Sequence, residues 1–556
     1  MKIFKGIAGA DGIAKGKVCY FKKAADSLKK LSFEEAAAGA LEKVKFLYKK
    51  TLDEMGEEKA KIFAAYEMLL EDNMLLAPIK AKIDAGEDKE KAIRSVTDMM
   101  ADKLASKNNE YMRQRADDIR YIGNLLIDVL NGADDEFHFP KGDSKYIVAA
   151  DELTPVDTMF FERSRLAGFI TKSGGVTSHV IILAKSLGIP AVVGAKELEE
   201  FEGYENAYLD GYEGTLIVSP DDTTNKIYEQ KINDELIFEK NLEKLKNSEA
   251  RTKDGKKIAV CINIGKPSDM AGSENEKIDG VGLFRSEFLY SSLSEKPTFD
   301  EQVKAYKEVI QLAKPNSVTI RTLDAGGDKQ IKYLGMKKEE NPFLGSRGIR
   351  LCLNNILVFS EQIKAILVAA AGESVKIMLP MINSVDEIKK AKSVIENVKA
   401  ELEGEGTPYC TNVLCGIMIE TPASAITADI FAKHADFFSI GTNDLVQYIN
   451  AADRGNADVK SLYNPCHPAV IRMIKNVISE AKKANIDVSV CGDLAANERF
   501  TKLLLGLGLE KFSVPLPMAG RIKHKISQTD LESAKEFAKK VLGAQDEHEI
   551  ENMLKG

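Results

Sequence analysis

The chain has 556 residues, 44% of them hydrophobic and 29% charged, with a net charge of -8; that length calls for two to four domains and an acidic balance excludes a nucleic-acid footprint. No apolar run approaches the roughly 18 residues of a membrane span, and the amino terminus lacks a long apolar leader core, so a cytoplasmic protein with no membrane insertion is expected. Seven cysteines without a Cys-x-x-Cys pair support neither a disulfide framework nor a zinc site.

Residues 1–22 are short apolar stretches punctuated by glycine, such as Gly12-Ile13-Ala14, and read as strands and turns. From Phe33 to about Asn131 the apolar positions switch to helical spacing, with Leu41, Val44, Leu47 and Tyr48 followed by Ile62, Tyr66, Leu69 and Leu70. A helical bundle is therefore inserted early. Strand patterns return at Tyr146–Ala150, Ala167–Ile170, Ala191–Val193 and Gly214–Val218. The simplest organisation is a swivelling α/β domain made of residues 1–22 and 142–222, interrupted by a helical subdomain over 23–141.

Between two of those strands lies Ser173-Gly174-Gly175-Val176-Thr177-Ser178-His179, followed by an apolar helix from Val180 to Leu187. A histidine that opens a helix behind a Gly-Gly turn suits phosphate, because free backbone amides and the positive end of the helix dipole stabilise a dianion on the ring. The same field keeps the imidazole neutral and nucleophilic. A helix-capping or core histidine is the alternative.

Residues 223–253 are highly charged with sparse apolar positions, the pattern of an exposed linker helix, acting either as a hinge or as a rigid spacer. Over 254–556, eight apolar runs read as strands: Ile258–Ile264, Val281–Phe284, Val318–Ile320, Val375–Leu379, Val413–Ile419, Phe437–Ile440, Val488–Val490 and Phe512–Val514. Most intervals between them hold a helix, which predicts a (β/α)8 barrel.

Polar residues stand directly after these strands, and in such a barrel they converge on the active-site mouth. Arg285, Arg321, Arg347 and Arg454 lie at strand ends or in adjoining loops; four guanidinium forks at one mouth imply an anionic substrate, whereas any one alone is an ordinary ion pair. Glu420 and Asp444, with Asn443 beside them as a neutral ligand, suit a hard divalent ion such as Mg²⁺. An acid/base pair, or salt bridges to the arginines, are the alternatives for the two carboxylates. Cys491, after Val488-Ser489-Val490, places a thiol at a strand end, either as an inert buried cysteine or as a proton donor to an enolate.

Taken together, Gly174-Gly175-x-Thr177-Ser178-His179, Gly282-Leu283-Phe284-Arg285-Ser286-Glu287, Arg321-Thr322-Leu323-Asp324-Ala325-Gly326-Gly327-Asp328-Lys329, Asn341-Pro342-Phe343-Leu344-Gly345-Ser346-Arg347 and Gly441-Thr442-Asn443-Asp444 closely resemble Enzyme I of the bacterial sugar phosphotransferase system, the phosphoenolpyruvate-protein phosphotransferases. The resemblance covers nearly the whole chain. It implies that phosphoenolpyruvate sits at the barrel mouth, bridged by Mg²⁺ on Glu420 and Asp444 and held by Arg285, Arg321, Asn443 and Arg454, with Lys329 and Arg347 nearby. His179 then attacks phosphorus, Thr158 orients the ring, and Cys491 protonates the departing enolate to give pyruvate. The phosphoryl group passes next to the carrier protein HPr, docked on the helical subdomain. A homodimer through the barrel is also implied.

This sequence departs from the family pattern at Val176, where an arginine is usual, at Asp493, where a glutamate is usual, over Pro515–Arg521, and at Tyr66, where many relatives carry histidine. A dikinase or synthase relative needs an ATP-binding domain for which no length remains. A signalling or scaffold paralogue that senses the phosphoenolpyruvate to pyruvate ratio is the alternative function, and Val176 is its support.

Overall fold

The computed structural model describes all residues except 22–30, 56, 72, 106–109, 133–139, 141, 154–156, 175–178, 200, 202–204, 274–275, 292–295, 328–330, 338, 457 and 556. The chain divides into two units, Met1–Leu236 and Ile237–Gly556.

In the first unit eight strands form one mixed sheet: β1 (Lys2–Lys5), β2 (Ile7–Ala10), β3 (Ile13–Phe21), β4 (Tyr146–Ala150), β5 (Leu166–Thr171), β6 (Ala191–Val193), β7 (Glu205–Asp210) and β8 (Thr215–Val218), in the order β1-β8-β7-β3-β4-β5-β6-β2. The first strands of the chain thus complete a sheet that resumes after the helical insertion. Both faces are covered, which explains why β4 and β5 read as unbroken apolar runs. Tyr146, Val148 and Ala150 of β4 pack with Val180, Ile181 and Ala184, while Ile147 and Ala149 pack with Leu198 and Leu209 on the other side.

The insertion is five helices, α1 (Phe33–Met55), α2 (Glu57–Glu71), α3 (Asn73–Asp84), α4 (Lys89–Ala105) and α5 (Glu110–Leu130). A capping box opens α1: the Glu35 amide donates to Ser32 Oγ at 3.1 Å and the Ser32 amide donates to Glu35 Oε2 at 2.8 Å. Val44, Leu47, Tyr66 and Leu70 are buried in its core as the helical spacing requires, with Leu41, Tyr48 and Leu69 packed at its margin. Next comes α6 (His179–Leu187), and then α7 (Asp222–Lys246) as one continuous helix.

The amino-terminal part of α7 is fastened to β7. Tyr228 stacks on Tyr208 with ring centroids 5.1 Å apart, and its hydroxyl donates to the buried Asp210 at 3.2 Å, as Lys231 does at 3.1 Å. At the other end, within the second unit, Lys523 Nζ donates to the carbonyls of Lys246 at 2.8 Å and Lys277 at 2.6 Å. A cation thereby ties the last carbonyl of the helix to the Lys277 loop.

The second unit is the expected closed barrel of eight parallel strands: β9 (Ala259–Ile264), β10 (Val281–Arg285), β11 (Val318–Arg321), β12 (Val375–Leu379), β13 (Leu414–Ile419), β14 (Phe437–Ile440), β15 (Asp487–Val490) and β16 (Lys511–Pro515), with β16 pairing back to β9. Helices between the strands bury their apolar stripes on its outside. The helix Pro468–Lys483, for example, buries Val470, Ile471, Ile474, Val477 and Ile478.

Candidate active site

The carboxyl ends of the barrel strands gather most of the residues that the sequence singles out. Arg285 ends β10 and Arg321 ends β11; Glu420 follows β13, Asn443 and Asp444 lie just after β14, and Cys491 follows β15. Together with Asp324, Arg347 and Arg454 they line one cavity at the mouth. Lys329 lies outside the described residues. His179 and Thr158 belong to the other unit, His179 as the first residue of α6 and Thr158 buried in the short turn of helix Asp157–Phe160. The Gly175–Ser178 segment, Val176 included, is outside the described residues.

Charges in the mouth form two tiers. In the buried tier Arg321 places Nη2 2.6 Å from Glu287 Oε1 and Nη1 3.1 Å from Asp324 Oδ2. Arg347 makes two forked pairs: Nε and Nη2 donate to the two Asp324 oxygens at 3.1 and 3.2 Å, and Nη1 and Nη2 donate to the two Asp444 oxygens at 2.9 and 3.1 Å. Burial alone would pull both guanidinium pKa values down, but the facing carboxylates reverse the sign and hold both arginines protonated. Of the alternatives for Asp444, the arginine salt bridge is the one present here.

Glu420 differs. Its Oε1 accepts the Met381 amide at 2.6 Å, its Oε2 is buried without a hydrogen-bond partner, and the side chain belongs to no ion pair among the described residues. Burial first, and then the charges of Asp444 and Asp324, push its pKa well above the usual carboxylate range. Met381 holds its amide on this carboxylate from a left-handed conformation, φ 57°, which is strained for a residue with a side chain. Across the mouth, a Cβ on Gly492 would stand 1.9 Å from Thr442 Oγ1, so only glycine lets the turn after Cys491 close onto the helix that carries Asn443 and Asp444.

The upper tier consists of Arg285, Asn443 and Arg454, all partly exposed. Neither arginine pairs with a carboxylate among the described residues, and the Arg454 side chain lies beside the Tyr463 hydroxyl. Asn443 Oδ1 accepts the Asp493 amide at 2.8 Å. Cys491 is buried, its thiol donating to the Ile440 carbonyl at 3.6 Å, and burial raises its pKa. The protonated thiol is therefore the resting form, as a proton donor requires.

Chain-wide comparisons bear on this geometry. Three family models match in order: the N-terminal domain of PEP-utilising enzymes over residues 5–115, their mobile domain over 142–214 and their PEP-binding domain over 239–531. A phosphoenolpyruvate-protein phosphotransferase of Bacillus subtilis is 39% identical, the match covering 100% of this chain and 99% of that one. This chain belongs to the phosphoenolpyruvate-protein phosphotransferase family. Similar proteins with the same description include one from Haemophilus influenzae, 38% identical over 99% of this chain and 98% of its own. A solution structure of an Enzyme I protein aligns with 42% of this chain and 98% of its own, at 32% identity and a TM-score of 0.36.

As a phosphoenolpyruvate-protein phosphotransferase, the chain carries its family's barrel with Glu287 and Asp324, expected at the mouth from their places directly after strands, in a supporting role that the sequence did not assign. Asp324 links Arg321 to Arg347, and Glu287 anchors Arg321 from the next loop. Their positions directly after strands, close in sequence to arginines, were a usable signal. Gln362, buried mid-helix, gave a weaker one. Its Oε1 accepts the Leu323 amide at 2.9 Å and its Nε2 donates to Ser286 Oγ at 3.0 Å, while Ser286 donates to the Arg321 carbonyl at 2.6 Å. One glutamine, directly and through Ser286, thus fixes the backbone on both sides of Thr322, just after Arg321. The positive φ of Met381 had no sequence signal.

Proposed function

We propose that phosphoenolpyruvate binds at this mouth and that its phosphoryl group passes to His179 Nε2, with Thr158 orienting the ring, and then to a histidine of HPr. The observation that carries the reading is the two-tier mouth, with partly exposed cations above an orphaned buried carboxylate and a protonated thiol at the same rim. Arg285, Arg454 and Asn443 take the substrate's phosphate and carboxylate oxygens, with Lys329 joining them; Arg321 and Arg347 sit beneath and fix the carboxylates while adding positive field. Cys491 gives its proton to C3 of the enolate and pyruvate leaves.

Glu420 and Asp444 are the residues that would hold Mg²⁺. The test of fit is Glu420 Oε2, a buried oxygen with no partner and a second carboxylate nearby. The described residues hold no cluster of three His, Cys, Asp or Glu, which agrees with an ion that takes one or two carboxylates and completes its shell with water and substrate oxygens. When bound, Mg²⁺ neutralises charge on the transferring phosphoryl group.

HPr docks on the helical subdomain, a reading supported by the exposed apolar side chains Phe46, Met68 and Met74 there. Residues 1–22 with 142–222 are the phosphohistidine domain, 23–141 the HPr-binding subdomain, 223–253 the linker and 254–556 the barrel. The barrel pairs with a second copy, supported by exposed Leu344, Leu357 and Leu462. No helix among the described residues is long and apolar enough to cross a membrane, in keeping with a cytoplasmic site of action.

Incubation with radiolabelled phosphoenolpyruvate and Mg²⁺, with and without HPr, tests the relay. Acid-labile label on the wild type, its absence in His179→Ala, and its transfer to HPr are expected. Label that stays on the wild-type protein when HPr is added would favour the sensing paralogue.

A further inference from the structure

The donor role proposed for Cys491 leaves a thiolate after each turnover, and the barrel interior contains a route by which it regains a proton. Side chains alternate along a strand, so Cys491, the residue directly after β15, continues the inward face that Ser489 occupies. Ser489 is the register partner of Ser439 on β14, and its hydroxyl donates to Ser439 Oγ at 3.2 Å. The Cys491 thiol in turn lies beside the Ser439 hydroxyl. All three side chains are buried, with relative exposures of 7% for Ser489, 1% for Ser439 and 3% for Cys491.

At its lower end the column meets a cavity beside an exposed carboxylate. Ser489 lines a small cavity at the amino-terminal end of the barrel with Thr319, Lys376, Asp487 and Lys511. Lys376 Nζ lies 3.4 Å from Asp487 Oδ2, and the Asp487 side chain is 66% exposed. Leu283, Met378, Met418 and Phe437 pack with Cys491 as an apolar cluster around this line, Met418 as the register partner of Ser439. The other buried serine near Cys491, Ser513, is committed elsewhere: its hydroxyl donates to Asn263 Oδ1 at 2.6 Å, and Asn263 Nδ2 donates to the Cys491 carbonyl at 3.0 Å rather than to its thiol.

We infer that Ser439 and Ser489 form a proton relay that reloads the Cys491 thiol from the far end of the barrel while the mouth is occupied. When C3 of the enolate takes the thiol proton, the S–H bond breaks and a thiolate remains. Ser439 gives its hydroxyl proton to Sγ, Ser489 gives its own to Ser439 Oγ, and a solvent hydronium in the lower cavity restores Ser489. One proton enters for each proton delivered to carbon, and both hydroxyls end as they began.

The relay rests on the reading of Cys491 as donor, so the test follows two rates in the full-length protein in D₂O with Mg²⁺, phosphoenolpyruvate and pyruvate. One is exchange of carbon-13 between phosphoenolpyruvate and pyruvate; the other is entry of solvent deuterium into the pyruvate methyl group, corrected for the enzyme-free rate. With an intact relay the thiol equilibrates with solvent at every interconversion and the two rates match. In Ser439→Ala and Ser489→Ala the same proton returns to carbon, so deuterium entry falls several-fold relative to carbon exchange. General damage to the barrel slows both and leaves their ratio unchanged. A wild-type ratio in both serine variants would overturn the relay, with the Cys491 reading intact. Cys491→Ala is expected to lose both exchanges; if it keeps both at wild-type rates, the donor assignment fails instead.

Discussion

Arg321 and Arg347, in the buried tier of the barrel mouth, commit their guanidinium groups to Glu287, Asp324 and Asp444, whereas Arg285 and Arg454 at the rim pair with no carboxylate among the described residues. One residue type therefore performs two tasks about one side chain apart. Below, desolvated charges hold each other in register, and removing one partner leaves the other buried and unpaired. Above, partly exposed cations have no carboxylate among the described residues to give up when a trianionic substrate arrives. Among the described residues the buried tier holds four carboxylates, Glu287, Asp324, Glu420 and Asp444, against two guanidiniums. That excess of negative charge suits a divalent cation below, and the rim's positive charge suits an anion above.

The largest effect is expected where the network is cut. Arg347→Met strands Asp444 and leaves Asp324 to Arg321, and should cost the barrel about 3–5 kcal/mol, read as a lower denaturation midpoint and accompanied by loss of phosphotransfer. Asp324→Asn added to it should cost much less than it does alone, because both changes dismantle one network. An additive double variant would show that the tier does not act as a unit.

Glu420→Gln sharpens the comparison from the other side. It keeps an oxygen for the Met381 amide and puts a neutral amide in place of a carboxyl whose pKa burial and the facing carboxylates have already raised, so stability without metal should hold or rise. The Mg²⁺ concentration needed for activity should increase by at least the roughly 10–100-fold that even indirect supports of a metal are worth. Both are read from the same purified variant by thermal melting and by Mg²⁺ titration of turnover.

Legibility of the sequence follows the same division. Strands of a parallel barrel are buried on both faces, so all eight appear as short apolar runs, and a strand-end residue is then assigned to the mouth by topology alone. β7 escaped notice because it opens on Glu205 and Asn206, exposed positions that mask the buried run Ala207–Asp210. Who pairs with whom at the mouth was not legible, since the Arg347–Asp444 pair spans loops distant in sequence and brought together only by barrel closure. Lys523 carried no signal either. A lysine on an amphipathic helix is ordinarily solvated, yet this one is fully buried, with Nζ on the Lys246 carbonyl that ends α7 and on the Lys277 carbonyl.

The smallest structural change gives the most direct test. Arg285 belongs to no ion pair among the described residues, so Arg285→Met should leave the unfolding midpoint of the full chain unchanged. Calorimetric titration of phosphoenolpyruvate into the wild type and this variant, in Mg²⁺, isolates the rim's contribution. Affinity lowered by about 1.5–3 kcal/mol, the worth of hydrogen bonds to a charged group, is the predicted result; wild-type affinity in a variant of unchanged stability would contradict the placement of the substrate at this mouth.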